Sequence, residues 1–105
     1  MAQRNNIPEK VLEDTAACLK ILAHPLRLRI VEILEQEDLT VGTLAERLGL
    51  PQAAVSQHLN LMKARGLLTS VRQGRSVHYK VFHPQCGQIL NCIRSNLRKK
   101  RTRKR

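Results

Sequence analysis

Aromatic side chains are nearly absent from this chain. Of its 105 residues only Tyr79 and Phe82 are aromatic, and there is no tryptophan. Aliphatic side chains must therefore form the hydrophobic core, which a chain of this length can build as one compact domain. No apolar run approaches the roughly 18 residues that a membrane span requires, and the N-terminus lacks the apolar segment of a signal peptide. We therefore expect a cytoplasmic protein.

Cysteines are few, and their spacing is not that of a known framework. Cys18, Cys86 and Cys92 are an odd number, and no two of them form a Cys-x-x-Cys pair. This pattern argues against the disulfide framework of small secreted proteins and against a zinc ribbon, so reduced thiols are expected. No nucleophile–base pair, phosphate-binding loop or carboxylate dyad is recognisable either. The sequence therefore indicates a protein that is not an enzyme.

Acidic residues are missing from more than half of the chain. All eight lie at or before Glu46, whereas fourteen of the nineteen Lys and Arg residues follow it. The segment 98–105, RKKRTRKR, holds seven of these, and such a run of like charge predicts a disordered basic tail. The other seven lie in residues 47–97, the body of the domain. The charge distribution therefore predicts a polyanionic partner such as nucleic acid.

Apolar periodicity and turn residues predict five helices and a hairpin. The third and fourth helices are joined by a short turn containing Gly49, which is the helix-turn-helix signature. A hairpin directly after a helix-turn-helix makes a winged helix, so the predicted fold class is mainly α (α+β), in the order α-α-(short β)-α-α-β-β-α. The predicted helices are 8–23, one beginning at 24–25, 40–48, 51–65 and 84–97, and the strands are 38–40, 67–72 and 76–82.

The fourth predicted helix has one apolar side and one polar side. Val55, Leu59 and Met62 share the core-facing side at i, i+4 and i+7. The other side carries no acid, and its Gln, Ser and Ala side chains can contact adenine, phosphates and thymine methyls. An ordinary solvated face would look similar, but the preceding turn and the basic hairpin favour a DNA-binding helix. We predict DNA contacts from Gln52, Ala53, Ser56, Gln57, His58, Asn60 and Lys63, and from Arg72 and Arg75 at the hairpin tip.

About residues 15–82 resemble the ArsR/SmtB family of bacterial winged-helix repressors. Four motifs carry the resemblance in family order: LAHPLRLRI, LAERLGL, VSQHLNLMKARGLL and RQGRSVHYKV. The resemblance implies a homodimer, built through the first and last helices, that binds an inverted-repeat operator and leaves it when an inducer binds. Residues 1–97 would then form one DNA-binding and dimerisation domain. Pro51 stands where the family usually has Ser or Thr, so the recognition helix should lack its side-chain cap.

Two metal sites known from the family are missing from this chain. The third helix has Thr40-Val41-Gly42 where some relatives have Cys-x-Cys. The last helix, HPQCGQILNCIRSN, has one histidine and no carboxylate, whereas zinc-sensing relatives place Asp/His pairs there. His83 is a lone ligand candidate, and its place before a proline at a helix start indicates a structural role.

The three cysteines are the remaining candidates for an inducer site. The resemblance places the first helix, with Cys18, against the last helix, with Cys86 and Cys92, at the dimer interface. One thiol from each helix could bind a soft ion such as As(III) or Sb(III), or close a disulfide or polysulfide bridge, and no cofactor is required. The same cysteines could equally be small buried hydrophobes. Alternatives left open are a repressor that responds to a small metabolite, a non-sensing nucleoid-type nucleic-acid-binding protein, and a thiol-based metalloid-binding module.

Overall fold

The structure is a computed structural model that describes the backbone of residues 6–103 and the side chains of residues 6–99. Five helices and a three-stranded antiparallel sheet follow one another in the predicted order, which confirms the winged helix-turn-helix. The elements are α1 (Glu9–Leu22), α2 (Pro25–Gln36), β1 (Leu39–Thr40), α3 (Val41–Leu48), α4 (Gln52–Ala64), β2 (Leu68–Gln73), β3 (Ser76–Val81) and α5 (Pro84–Arg103).

Local capping explains where the helices begin and end. The Nδ1 atom of His24 accepts the backbone N–H of Leu26 at 3.1 Å, and Pro25 occupies the first position of α2. The Thr40 hydroxyl likewise accepts a backbone N–H at the start of α3. Pro51 caps α4 without a side-chain hydrogen bond, as the sequence predicted. The beginning of α4 is therefore held by packing rather than by a polar cap.

The sheet has the order β1-β3-β2, so β3 is its central strand. Leu39 pairs with Tyr79, which joins the short β1 to the hairpin. The predicted alternation of buried and exposed positions along β3 is not observed, because residues 77–81 are all partly buried. A central strand has neighbours on both sides whose side chains cover both of its faces.

The hydrophobic core is aliphatic, as the shortage of aromatic residues predicted. Its buried side chains come from every helix and every strand except β3, and Val55, Leu59 and Met62 of α4 are each 0% exposed. No charged or polar residue is buried in the part of the chain that the structure describes. Since α4 buries one whole side in this core, its opposite side is fixed facing outward.

The last helix is longer than the sequence predicted. Its backbone stays helical through Arg103, whereas disorder was expected from residue 98; residues 104–105 lie outside the described part of the chain. Arg and Lys are good helix formers, and extending an existing helix avoids the cost of nucleation. On one side of α5, Cys86 and Leu90 are buried, whereas Ile93 and Leu97 are 44% and 51% exposed.

None of the helices among the described residues has both the length and the apolar character needed to cross a membrane.

Candidate nucleic-acid interface

The recognition helix α4 is set by the turn that precedes it. Gly49 ends α3 in the left-handed conformation, with φ of 68°, and its N–H bonds to the carbonyl of Glu46 at 3.1 Å. The next N–H, that of Leu50, returns to the carbonyl of Ala45 at 3.0 Å. These bonds close the end of α3 and turn the chain into α4. The two helices pack on each other as one helix-turn-helix unit.

The outward side of α4 carries most of the predicted DNA-contacting residues. Ser56 is half-buried, and the others are exposed: Gln52, Ala53, Gln57, Asn60 and Lys63. No acidic residue occurs in α4 or anywhere after it. Amide and hydroxyl groups that can bond to base edges are therefore presented without a charge that would repel phosphates.

The wing is a tight hairpin with basic residues at its tip. Gln73 pairs with Ser76, which leaves Gly74 and Arg75 as the two turn residues. Gly74 has φ of 65° and Arg75 has negative φ, the pattern of a type II′ turn, which twists with the strands it joins. Arg72 and Arg75 are both exposed. The tip therefore projects two guanidinium groups into solvent, where they can reach DNA.

The recognition helix and the wing are joined by a side-chain hydrogen bond that the sequence did not reveal. The Nζ atom of Lys63 donates to the Oγ atom of Ser70 in β2 at 2.7 Å. Nothing in the spacing of these two residues identifies them as partners, because the bond depends on how β2 folds back along α4. It ties the predicted DNA-contacting Lys63 to the wing and fixes the helix and the hairpin relative to each other.

His58 lies in a different setting from the other predicted contacts. It is half-buried against the start of α2, where its Nδ1 atom accepts a hydrogen bond from Nε of Arg27 at 3.1 Å. The ring of His24 packs edge-on against it, with ring centroids 4.9 Å apart. Partial burial lowers the pKa of His58, and the positive charges of Arg27 and His24 lower it further. The ring is therefore a neutral hydrogen-bond acceptor that holds α4 to α2.

The three cysteines occupy three different environments. Cys86 of α5 is buried, Cys18 of α1 is half-buried against the same core, and Cys92 is exposed on α5. Burial, with smaller contributions from Cys18 and Glu35, raises the pKa of Cys86 to about 11. Burial also raises the pKa of Cys18. Cys18 and Cys86 pack against the same core and are held as thiols at neutral pH, whereas Cys92 is exposed.

The described residues contain no group of three or more His, Cys, Asp and Glu side chains placed to hold a metal ion. His83, the lone ligand candidate, has a local role: its Nδ1 atom accepts the backbone N–H of Gln85 at 3.1 Å at the start of α5.

Known DNA-binding proteins are similar to this chain in sequence. A helix-turn-helix domain family matches residues 22–71. The transcriptional repressor PagR of Bacillus anthracis is 40% identical over 83 residues, which are 78% of this chain and 83% of PagR. The HTH-type transcriptional repressor SmtB of Mycobacterium tuberculosis is 39% identical over 79% of this chain and 62% of its own length.

Solved structures agree with the sequence relatives. The crystal structure of PagR superposes with a TM-score of 0.73 at 38% identity, over 82% of this chain and 99% of that one. The AntR antimony-specific transcriptional repressor superposes with a TM-score of 0.83 at 25% identity, over 98% and 94% of the two chains. These relatives are DNA-binding regulators rather than enzymes. With its acid-free recognition helix and its basic wing, this chain belongs to the ArsR/SmtB family of winged-helix transcriptional repressors.

Proposed function

We propose that this chain represses transcription as a homodimer on an imperfect inverted repeat of double-stranded DNA. The observation that carries the proposal is the exposed, acid-free side of α4, joined to the wing by the Lys63–Ser70 bond. Two such helices would enter successive major grooves about 34 Å apart.

Dimerisation is supported by apolar side chains that the terminal helices leave uncovered. Val11, Leu12 and Leu19 of α1 are 39–47% exposed, and Ile93 and Leu97 of α5 are 44% and 51% exposed. Large aliphatic side chains at this density need a partner surface. Sedimentation at micromolar concentration should give a dimer, and a monomer both with and without DNA would contradict the proposal.

The first prediction concerns base recognition by α4. Gln52→Ala and Gln57→Ala should each lose about 1–3 kcal/mol on the operator and relax sequence preference, because a glutamine amide can contact adenine through two hydrogen bonds. Affinity for an operator and for a scrambled duplex should be measured in the same salt. Gln88→Ala, an exposed glutamine on α5, is the matched control and should change neither affinity. Equal losses on both duplexes would show that the glutamines contact only the DNA backbone.

We further propose that thiol chemistry relieves repression. Two observations support this: Cys18 of the first helix and Cys86 of the last helix pack against the same core, and a structural relative is an antimony-specific repressor. Two thiols can displace two hydroxides from antimonite, releasing two waters and leaving antimony bound to both sulfurs. Peroxide can oxidise the same pair to a disulfide and is itself reduced to two waters.

A bridge between α1 and α5 would act on DNA through the dimer. It would fix the relative angle of the two helices that form the proposed interface, and this angle sets the separation of the two recognition helices. An inducer that binds more tightly to a dimer whose recognition helices are not spaced for DNA lowers DNA affinity by the same coupling free energy. A coupling of about 1–3 kcal/mol reduces operator affinity by about 5- to 150-fold.

The second prediction separates the thiols. Cys18→Ser and Cys86→Ser should keep operator binding and lose release by antimonite, arsenite, sulfane sulfur or peroxide. Cys92→Ser changes an exposed thiol. If the bridge forms between Cys18 and Cys86, this variant should keep the response; if the bridge includes Cys92, the variant should lose it. Operator release is measured by fluorescence anisotropy with each reagent. A triple Cys→Ser protein that still leaves its operator would refute thiol sensing and favour the metabolite alternative.

A further inference from the structure

A cavity of about 340 Å³ lies where α1, the end of α4 and the start of α5 meet. It is lined by Asp14, Ala17, Cys18, Arg65, Leu67 and His83. This volume is at the small end of the range of ligand pockets, about 300–1,000 Å³. The cavity belongs to neither the DNA-contacting surface nor the exposed apolar side chains of α1 and α5.

Opposite charges face this cavity without pairing with each other. Within the described part of the chain the Arg65 guanidinium forms no ion pair or hydrogen bond. Asp14 pairs with Lys10 on the outer surface at 3.2 Å, and both side chains of that pair are well exposed. Such surface pairs are weak, and a carboxylate has room for several donors. Both Arg65 and Asp14 can therefore accept a charged group from a ligand.

His83, which also lines the cavity, adds a hydrogen-bond donor to it. Since its Nδ1 atom accepts the backbone N–H of Gln85 at 3.1 Å, the neutral ring carries its proton on Nε2. Arg65 and His83 together are suited to a carboxylate, and Asp14 to an ammonium group. Ala17, Cys18 and Leu67 supply a small apolar surface between them.

We propose that this cavity binds a zwitterionic α-amino acid with a small apolar side chain. Its carboxylate contacts Arg65 and His83, its ammonium group contacts Asp14, and its side chain packs on Leu67 and Cys18. A ligand with one charge would make only one of these two charged contacts, so the zwitterion should bind more tightly than either singly charged analogue.

The position of the cavity couples such a ligand to the recognition helix. Leu67 lies in its wall, and the backbone N–H of this residue donates to the carbonyl of Met62 at 2.9 Å in the last part of α4. The Leu67 carbonyl accepts the N–H groups of Phe82 and His83 at 2.9 and 3.2 Å, just before α5. A ligand held between Arg65 and His83 therefore touches both sides of the joint between α4 and α5. This regulatory consequence rests on the proposed function, whereas the binding itself does not.

Binding is tested on the DNA-free protein by NMR titration of backbone amides. The probes are glycine, L-alanine, L-valine, L-cysteine and L-leucine, each up to about 10 mM, ten times above a millimolar Kd. At least one should shift the amides of residues 14–18 and 65–67. For L-leucine the matched analogues are 4-methylpentanoate, which lacks the ammonium group, and 3-methylbutylamine, which lacks the carboxylate. Each analogue should bind at least about tenfold more weakly than L-leucine, because one charged contact is lost.

Charge-deleting variants assign the two ends of the ligand. Arg65→Gln should weaken L-leucine about tenfold or more and abolish its advantage over 3-methylbutylamine. Asp14→Asn should abolish its advantage over 4-methylpentanoate. Arg29→Gln removes an exposed arginine of α2 that does not line the cavity and should leave amino-acid binding unchanged. Thermal unfolding checks that each variant folds. The proposal is overturned if no amino acid shifts these amides, or if both analogues bind as well as L-leucine.

A separate measurement of operator affinity, with and without the bound amino acid, distinguishes the two proposals. Loss of all specific DNA binding by the ligand-free protein would refute the repressor function while leaving the amino-acid site intact. Specific DNA binding without any amino-acid binding would refute the amino-acid site while leaving the repressor function intact.

Discussion

The hydrogen bond between Arg27 and His58 depends on a neutral imidazole. Arg27 also donates through Nη1 to the carbonyl of Ile21 at 3.0 Å, so this one guanidinium links the end of α1 to the recognition helix. Protonation of His58 would remove the acceptor lone pair and place a positive charge beside Arg27. The pKa of His58 is accordingly lowered by burial first and by Arg27 and His24 next.

The third prediction follows from this lowered pKa. The stabilisation that the neutral His58 ring provides is fully present above the ordinary histidine pKa of 6.5. It is lost as pH falls through the lower pKa of the folded state, because the unfolded chain binds the proton more readily. His58→Gln keeps an acceptor but does not titrate. Urea unfolding between about pH 7 and pH 5 should therefore show a smaller loss of stability in this variant than in the parent protein. If the stability of the variant and of the parent protein fell in parallel with pH, His58 would make no contribution to the pH dependence of stability.

At the scale of an element, the helix-turn-helix depends on one glycine. Gly49 ends α3 with φ of 68°, a conformation that costs an L-residue about 1–2 kcal/mol. Gly42, in the first turn of the same helix, has no such need. A Cβ atom there would meet the Gln52 side-chain oxygen at 3.6 Å, an ordinary van der Waals contact. Replacement by alanine should therefore lower the stability of the protein at Gly49 but not at Gly42.

The fourth prediction is that Gly49→Ala lowers the free energy of unfolding by about 1–2 kcal/mol, because alanine is strained at positive φ. Gly42→Ala is the matched control and should leave stability unchanged or raise it by up to about 1 kcal/mol, since alanine favours the helix. Urea denaturation of both variants checks the pair. If both substitutions were neutral, the left-handed turn would not limit the stability of the helix-turn-helix.

At the scale of the whole molecule, positive charge is arranged on a rigid scaffold. The net charge is +11, and seven Lys and Arg residues lie in the segment 98–105. The backbone of α5 continues through Arg103, so this basic segment begins as a helical arm. Such an arm can contact only phosphates, so it should strengthen binding to every DNA sequence alike.

The fifth prediction tests this arm. Deleting 98–105 should weaken binding to operator and scrambled DNA equally and flatten the dependence of log affinity on log salt. Each phosphate contact contributes about 0.9 to this slope, so seven contacts would contribute at most about 6. A full-length variant with these seven residues changed to Gln separates charge from length and should match the deletion. An unchanged slope would show that the arm does not touch DNA.

The sequence alone determined the fold and the side of α4 that faces outward. Helix periodicity is local, and the placement of Val55, Leu59 and Met62 on one side fixed which side is buried. Glycines and capping residues marked the helix ends for the same local reason. The excess of basic residues over acidic ones after Glu46 predicted the polyanionic partner without any coordinates.

Only the tertiary structure decided which distant side chains meet. The pairs Lys63–Ser70 and Arg27–His58 depend on how separate elements pack, and sequence spacing does not encode such contacts. Packing also showed that His58 is half-buried and links α4 to α2, which its neighbours on α4 do not. It also brought Asp14, Arg65 and His83, from three different segments, to one cavity. Local chemistry specifies each element, whereas a site formed between elements exists only after they have packed.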